Sequence, residues 1–220
     1  IISFPTGSYG QEDTLKLKEI EISADRSPEI YSESSRVVYV LDEEEISSLP
    51  ASTIEEVLET VLHADVRQRG APGMQADLTI RGGTFDQTLI LLNGIKMNDP
   101  QTGHHNLNLP VDLQMVERIE ILEGPGARIY GPNAYSGAVN IITSDTIKKN
   151  LGLSASYGSH NYINGSIRGG ITSRIIHSEI YLSVRQSDGY IENTDFTNFS
   201  VFLNNHIKIK NNRLQIQGGY

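Results

Sequence analysis

Hydrophobic and polar positions alternate strictly in the last third of the chain. Leu151, Leu153, Ala155 and Tyr157 are separated by Gly152, Ser154 and Ser156. The same period of two runs through Ile163 to Ile171, Ile176 to Arg185, Asn198 to Ile209 and Arg213 to Tyr220. Alternate residues of a strand point to opposite faces, so these runs predict five consecutive strands with one apolar and one polar face. The connections at 172–175 and 211–212 are short, and Gln186 to Thr197 is longer and polar. Two architectures fit: a membrane barrel with its apolar face to lipid, and a soluble sandwich with that face buried.

The first two thirds are mixed. Val37 to Leu41 is a compact apolar run and reads as a strand. Asp42 and Glu45 have capping-box spacing, which predicts a short helix with Ile46 and Leu49 inward and Pro50 as its stop. Ser52 and Glu55 have the same spacing before Ile54, Val57, Leu58, Val61 and Leu62, which fall on one face of an amphipathic helix with His63 at its end. Arg67 to Ala76 reads as a turn-rich loop, and Leu78 to Gly82 as a strand. Leu89 to Leu92 is continuously apolar, as a doubly covered strand is. Asn93-Gly94 predicts a hairpin turn into Ile95 to Met97. Val116 to Leu122 alternates as a half-buried strand, and Ala138 to Thr143 is a further strand. Between them lie Gly124-Pro125-Gly126, Gly131-Pro132 and Gly137, where the backbone turns sharply or approaches another segment. Near the start, residues 1–14 read as a flexible polar arm. Leu15 to Ala24 reads as an edge strand in which Ile20 and Ile22 share a face.

Charge and composition narrow the function classes. The 220 residues carry 18 basic and 27 acidic side chains, a net charge of −9, which argues against a nucleic-acid partner. With no cysteine, a disulfide framework or thiolate metal site is excluded. No signal peptide is visible, and no apolar run reaches the roughly 18 residues of a membrane-spanning helix. Nucleotide-loop, zinc-protease, EF-hand and serine-hydrolase signatures are missing. His104 and His105 are adjacent, a poor arrangement for joint chelation, so no metal site and no cofactor are assigned. Asp188, Glu192 and Asp195 form a sparse acidic group that falls short of what calcium requires. The loop Asn98 to Asn108 is long, polar and free of apolar anchors before Leu107, as recognition loops on rigid scaffolds are.

Several motifs occur in order: L-T-I-R-G (Leu78 to Gly82), L-I-L-L-N-G-I-K-M-N-D (Leu89 to Asp99), E-G-P-x-x-x-x-Y-G (Glu123 to Gly131) and G-A-V-N-I-I-T (Gly137 to Thr143). They resemble the plug-domain signatures of TonB-dependent outer-membrane receptors, nearest to the vitamin B12 and siderophore branch. The likeness covers Leu15 to Thr143 and continues more loosely into the first alternating strands. It implies an α+β plug domain, a small mixed sheet with short helices, over residues 15–145. The antiparallel strands of a transmembrane β-barrel would start over residues 151–220, incomplete here, and the chain reads as a segment of a longer one.

The resemblance also implies function: a non-enzymatic receptor in the outer membrane of a Gram-negative bacterium that imports a scarce nutrient chelate (corrinoid, siderophore or haem). Energy would come from a TonB-type inner-membrane partner acting on Glu19, Ile20, Glu21, Ile22, Ser23 and Ala24, where the family keeps its TonB box. Gln75, Asn98, Asp99, Gln101, His104 and His105 would face the ligand. Arg81, Glu120, Glu123 and Arg128 are candidates for ion pairs between plug and barrel. The alternatives are a soluble α/β ligand- or nucleotide-binding domain using the glycine loops, and a secreted β-sandwich adhesion module.

Overall fold

The computed structural model describes residues 21–22, 29–30, 37–61, 63–70, 75–99, 101–144, 151–210 and 212–220. Two sheets dominate. The first is mixed and contains β3 (Val38–Asp42), β6 (Thr88–Leu92), β7 (Ile95–Lys96), β8 (Val116–Glu123) and β9 (Gly137–Thr143), in the order β3-β8-β9-β6-β7. β6 runs parallel to β9, and the other neighbours are antiparallel. β4 (Ala64–Gln68) and β5 (Ala76–Ile80) form a separate antiparallel hairpin, and β1 (Glu21–Ile22) pairs with β2 (Glu29–Ile30).

The helices are short: α1 (Glu43–Ser48), α2 (Ile54–Glu59) and α3 (Ala127–Tyr130). α1 starts as its capping box requires, with Asp42 accepting from the Glu45 amide and Glu45 from the Asp42 amide. The second cap lies one residue later than expected. Thr53, not Ser52, accepts from the Glu56 amide, and the Ser52 amide donates to Glu56. The reason is the apolar face: Ile54, Val57 and Leu58 face the core, and that orientation turns Glu55 inward too, leaving Glu56 to cap. α2 also stops at Glu59, and His63 adopts a left-handed conformation (φ 67°) in the turn that leads into β4.

Sequence periodicity missed β4, because Asp65, Arg67 and Gln68 leave it a mostly polar strand facing solvent. It missed α3 as well, a single turn inside the glycine-proline loop. β8, expected half-buried, is buried on both faces over Ile119–Glu123, because Ile119 and Ile121 pack into one apolar cluster and Leu122 into another with Tyr130 and Ala134. β6 is buried throughout, as its continuous apolar run requires. The Asn93-Gly94 turn has φ of 53° and 80°, the left-handed pair that a tight hairpin demands. At Gly137 a Cβ would sit 2.6 Å from the Leu122 carbonyl oxygen, so glycine there permits the close β8–β9 approach. That accounts for one of the loop glycines without any phosphate.

The second sheet is an antiparallel meander: β10 (Leu151–Gly158), β11 (Tyr162–Thr172), β12 (Ile176–Ser187), β13 (Phe196–Ile209) and β14 (Asn212–Gly219), in sequence order. Its polarity is inverted relative to a soluble sheet. Leu153, Ile167, Ile171, Phe199 and Leu203 are exposed on the outer face. Ser166, His177, Glu179 and Asn204 are buried on the inner face, which packs on the first domain together with Tyr181 and Phe202. In a sandwich the apolar set packs inward; among the described residues it is the polar set that packs on the first domain, while the apolar set is exposed. Among the described residues no helix is long and apolar enough to cross a membrane, which says nothing about strands.

Candidate functional site

The loop after β7 is built from short side-chain bonds to its own backbone. The Asp99 carboxylate accepts from the Gln101 amide at 2.9 Å and the Thr102 hydroxyl at 2.7 Å. These donors, the Gln101 amide foremost, hold the exposed Asp99 carboxyl below its ordinary range. Asn106 is buried, and its Oδ1 accepts from the Asp99 amide at 2.8 Å, drawing the loop's two ends together. Asn108 Nδ2 donates to His105 Nδ1 at 3.1 Å. Leu107 enters the core and anchors the loop's exit.

His104 ties the loop to the β4–β5 hairpin. Its ring stacks on Phe85 with centroids 4.1 Å apart, and its Nδ1 lies 3.0 Å from Asp77 Oδ1. Asp77 is 3% exposed and also accepts from Arg69 Nε at 2.8 Å. Burial pushes the Asp77 carboxyl upward, but bonds from His104, Arg69 and Gln75 together outweigh it and hold the group below its usual range. An ionised carboxylate only accepts, so His104 carries its proton on Nδ1.

Of the expected ligand-facing residues, the structure brings Gln75 and His104 onto this one carboxylate. Asp99 and Gln101 meet in the turn, His105 turns to Asn108, and Asn98 is half-buried at the loop's entry. Asp77, Phe85 and Asn106, which organise them, carried no sequence signal. An aspartate inside a strand looks like surface charge until its donors are in place.

The residues expected to bridge plug and barrel are placed within the first domain. Glu123, 3% exposed, lies 3.3 Å from both His63 Nδ1 and Arg81 Nε. Glu120 accepts from Arg118 Nε at 2.9 Å and Asn140 Nδ2 at 3.3 Å, and Arg128 is exposed. Contacts across to the second sheet come from other side chains. Arg185 Nη2 lies 3.4 Å from Asp112 Oδ2, Arg168 Nη1 donates to the Gln114 carbonyl at 3.3 Å, and Gln114 Nε2 donates to Ser154 at 3.0 Å. Asn204 Nδ2 donates to Thr143 Oγ1 at 3.3 Å. Between the two sheets lies a cavity of about 820 Å³, lined among others by Glu55, Met97, Leu107, Asp112 and Arg185. Burial pushes the Glu55 carboxyl up, against the pull of its backbone and Thr53 bonds and Arg185.

Of the energy-coupling segment, Glu19, Ile20, Ser23 and Ala24 lie outside the described residues. Glu21 and Ile22 pair with Ile30 and Glu29. Among the described residues no group of three or more His, Cys, Asp or Glu is arranged to hold a metal ion.

Comparison with known proteins agrees with this architecture. A family model described as the TonB-dependent receptor plug domain matches residues 31–138. Over 153 residues the chain is 31% identical to the vitamin B12 transporter BtuB of Vibrio cholerae, covering 69% of the chain and 25% of that protein. Over 127 residues it is 31% identical to the Vibrio vulnificus transporter of the same name, covering 58% and 21%. The chain thus spans about a quarter or less of the length of these curated relatives. In fold it is similar to the ferripyoverdine receptor of the outer membrane of Pseudomonas aeruginosa (TM-score 0.72, 12% identity, 90% of this chain and 27% of that one). It is also similar to the copper transporter OprC (TM-score 0.65, 18% identity, 83% and 30%).

Proposed function

This chain belongs to the TonB-dependent receptor family, with its plug domain over residues 31–138, and from that premise we propose that it is part of an outer-membrane importer of a scarce nutrient chelate. The family transports and does not catalyse. The chelate is a corrinoid, a reading supported by relatives named as vitamin B12 transporters at 31% identity. The observation that carries the membrane reading is the inverted polarity of β10–β14, with apolar side chains exposed and polar ones packed on the plug. Exposing a continuous apolar face to water is unfavourable by roughly 25 cal/mol per Å², whereas lipid removes that penalty. These strands are the start of a barrel whose lumen holds the plug.

In this reading the plug's loop 98–108 and Gln75 contact the ligand. Residues 19–24 offer a β-prone edge to a TonB-type inner-membrane protein, where main-chain hydrogen bonds give affinity. Pulling on that segment converts the plug from an ordered to a partly disordered state and opens a path.

The test uses the full-length receptor in Gram-negative cells lacking their own corrinoid receptor. Heat-modifiable migration in the outer-membrane fraction and saturable binding of radiolabelled vitamin B12 are expected. Uptake should require the TonB-type protein, whereas surface binding should not. Fractionation as a soluble protein would overturn the receptor reading. Membrane insertion with binding of ferric siderophores or haem in place of vitamin B12 would overturn the corrinoid assignment alone.

A further inference from the structure

We propose that Asp77 is a positioning residue for ligand capture, its buried carboxylate holding the loop Asn98 to Asn108 on the β4–β5 hairpin through His104. The inference rests on the reading of that loop as a ligand-contacting surface.

The argument starts from what attaches the loop. Among the described residues, the bonds from Asp99 to Gln101 and Thr102, from Asn106 to Asp99 and from Asn108 to His105 all stay within it. They give the loop a shape and tie Asp99 to buried Asn106 beside the anchored Leu107, but they do not attach residues 101–105 to the hairpin. That attachment is made by His104, through the 3.0 Å contact with Asp77 and the stack on Phe85, with Gly103 packed beside the same ring. A carboxylate as buried as Asp77 is unfavourable unless its oxygens are occupied by donors. Arg69 occupies Oδ2 and His104 occupies Oδ1, with Gln75 as a further donor, so dislodging the loop strips a buried charge of its His104 donor. The cost of that vacancy makes the docked loop the favoured state.

The platform itself is held at its other end. There the Arg81 amide donates to the His63 carbonyl at 2.9 Å, and both side chains reach the buried Glu123 at 3.3 Å. The β4–β5 ladder therefore has one buried carboxylate, one histidine and one arginine at each end. One end grips the loop, and the other grips the end of β8. A pre-positioned loop gives up less conformational freedom when a ligand binds, which raises affinity without any new contact.

The experiment is a double-mutant cycle in the full-length receptor with Asp77→Asn, His104→Ala and the pair. Hydrogen exchange is followed at the loop and at β6 and β9, together with vitamin B12 saturation at constant receptor number. Each single variant is expected to speed exchange at the Asp99 amide at least tenfold while β6 and β9 stay protected. Each should weaken vitamin B12 binding several-fold, and the pair should be no worse than His104→Ala alone, which loses both the Asp77 contact and the Phe85 stack. Additive effects, or loss of protection spread evenly over the plug, would overturn the clamp. Faster loop exchange with unchanged vitamin B12 affinity would overturn its role in capture. If the unmodified receptor binds no vitamin B12, the corrinoid reading fails on its own, and the exchange arm alone decides whether Asp77 positions the loop.

Discussion

The Asn93 carboxamide donates to Gln217 Oε1 at 3.0 Å, joining the turn after β6 to a strand 124 residues further on. Gln217 Nε2 returns a bond to the Leu92 carbonyl at 3.1 Å, and Asn93 Oδ1 accepts from the Thr143 amide at 2.8 Å. A residue selected for left-handed backbone thus also links β6, β9 and β14. Asn93→Ala removes the side-chain bonds and places alanine at φ 53°. Together these should cost about 2–4 kcal/mol. Asn93→Gly relieves the backbone strain and should cost less. Denaturant unfolding of the receptor, followed by hydrogen exchange at β6 and β9, ranks the two. Equal losses would show that only the side-chain bonds matter.

Strand polarity is checked by cysteine labelling, since the chain contains no cysteine of its own. Leu203 is 42% exposed on the outer face, and its neighbour Asn204 is 0% exposed against the plug. In whole cells, Leu203→Cys is expected to react with a lipid-soluble maleimide and resist a membrane-impermeant one. Asn204→Cys should resist both while the plug is in place. Ready reaction of Leu203→Cys with the impermeant reagent would mean that the outer face meets water, not lipid.

Energy coupling through residues 19–24 is tested by proline. Ile22→Pro removes a backbone donor and restricts Glu21 before it. It should preserve vitamin B12 binding at the cell surface and abolish uptake. Glu19→Ala changes a side chain and leaves the backbone donors intact, so uptake should stay near normal. Normal uptake by Ile22→Pro would remove this segment from the coupling role.

Glu55 sets an expectation for pH. Burial raises its carboxyl in the folded state above the ordinary value of 4.5. A group raised on folding contributes stability below its unfolded value and loses it as pH climbs through the folded one. Glu55→Gln, neutral at every pH, should therefore raise the denaturation midpoint at pH 7 and leave it nearly unchanged at pH 4. A midpoint lowered at pH 7 would mean that the attraction of Arg185 outweighs burial.

Much of this protein was legible in the residues alone, for local reasons. Period two defined β10–β14, the Asp42–Glu45 capping box started α1, and Asn93-Gly94 defined the turn after β6, because each depends on residues within a few positions of one another. The ordered motifs from Leu78 to Thr143 pointed to the family on the same footing. Alternation could not say which face of the strands is covered, since it separates two faces and says nothing about their surroundings. Only packing decided that the polar face meets the plug and the apolar face stays open. β4 escaped detection because a strand held by backbone pairing to β5 needs no apolar period of its own. The roles of Asp77 and Glu123 escaped for a related reason. The worth of a charge depends on burial and on donors brought from residues distant in sequence, as His104 is to Asp77 and His63 is to Glu123, and only the tertiary structure supplies both.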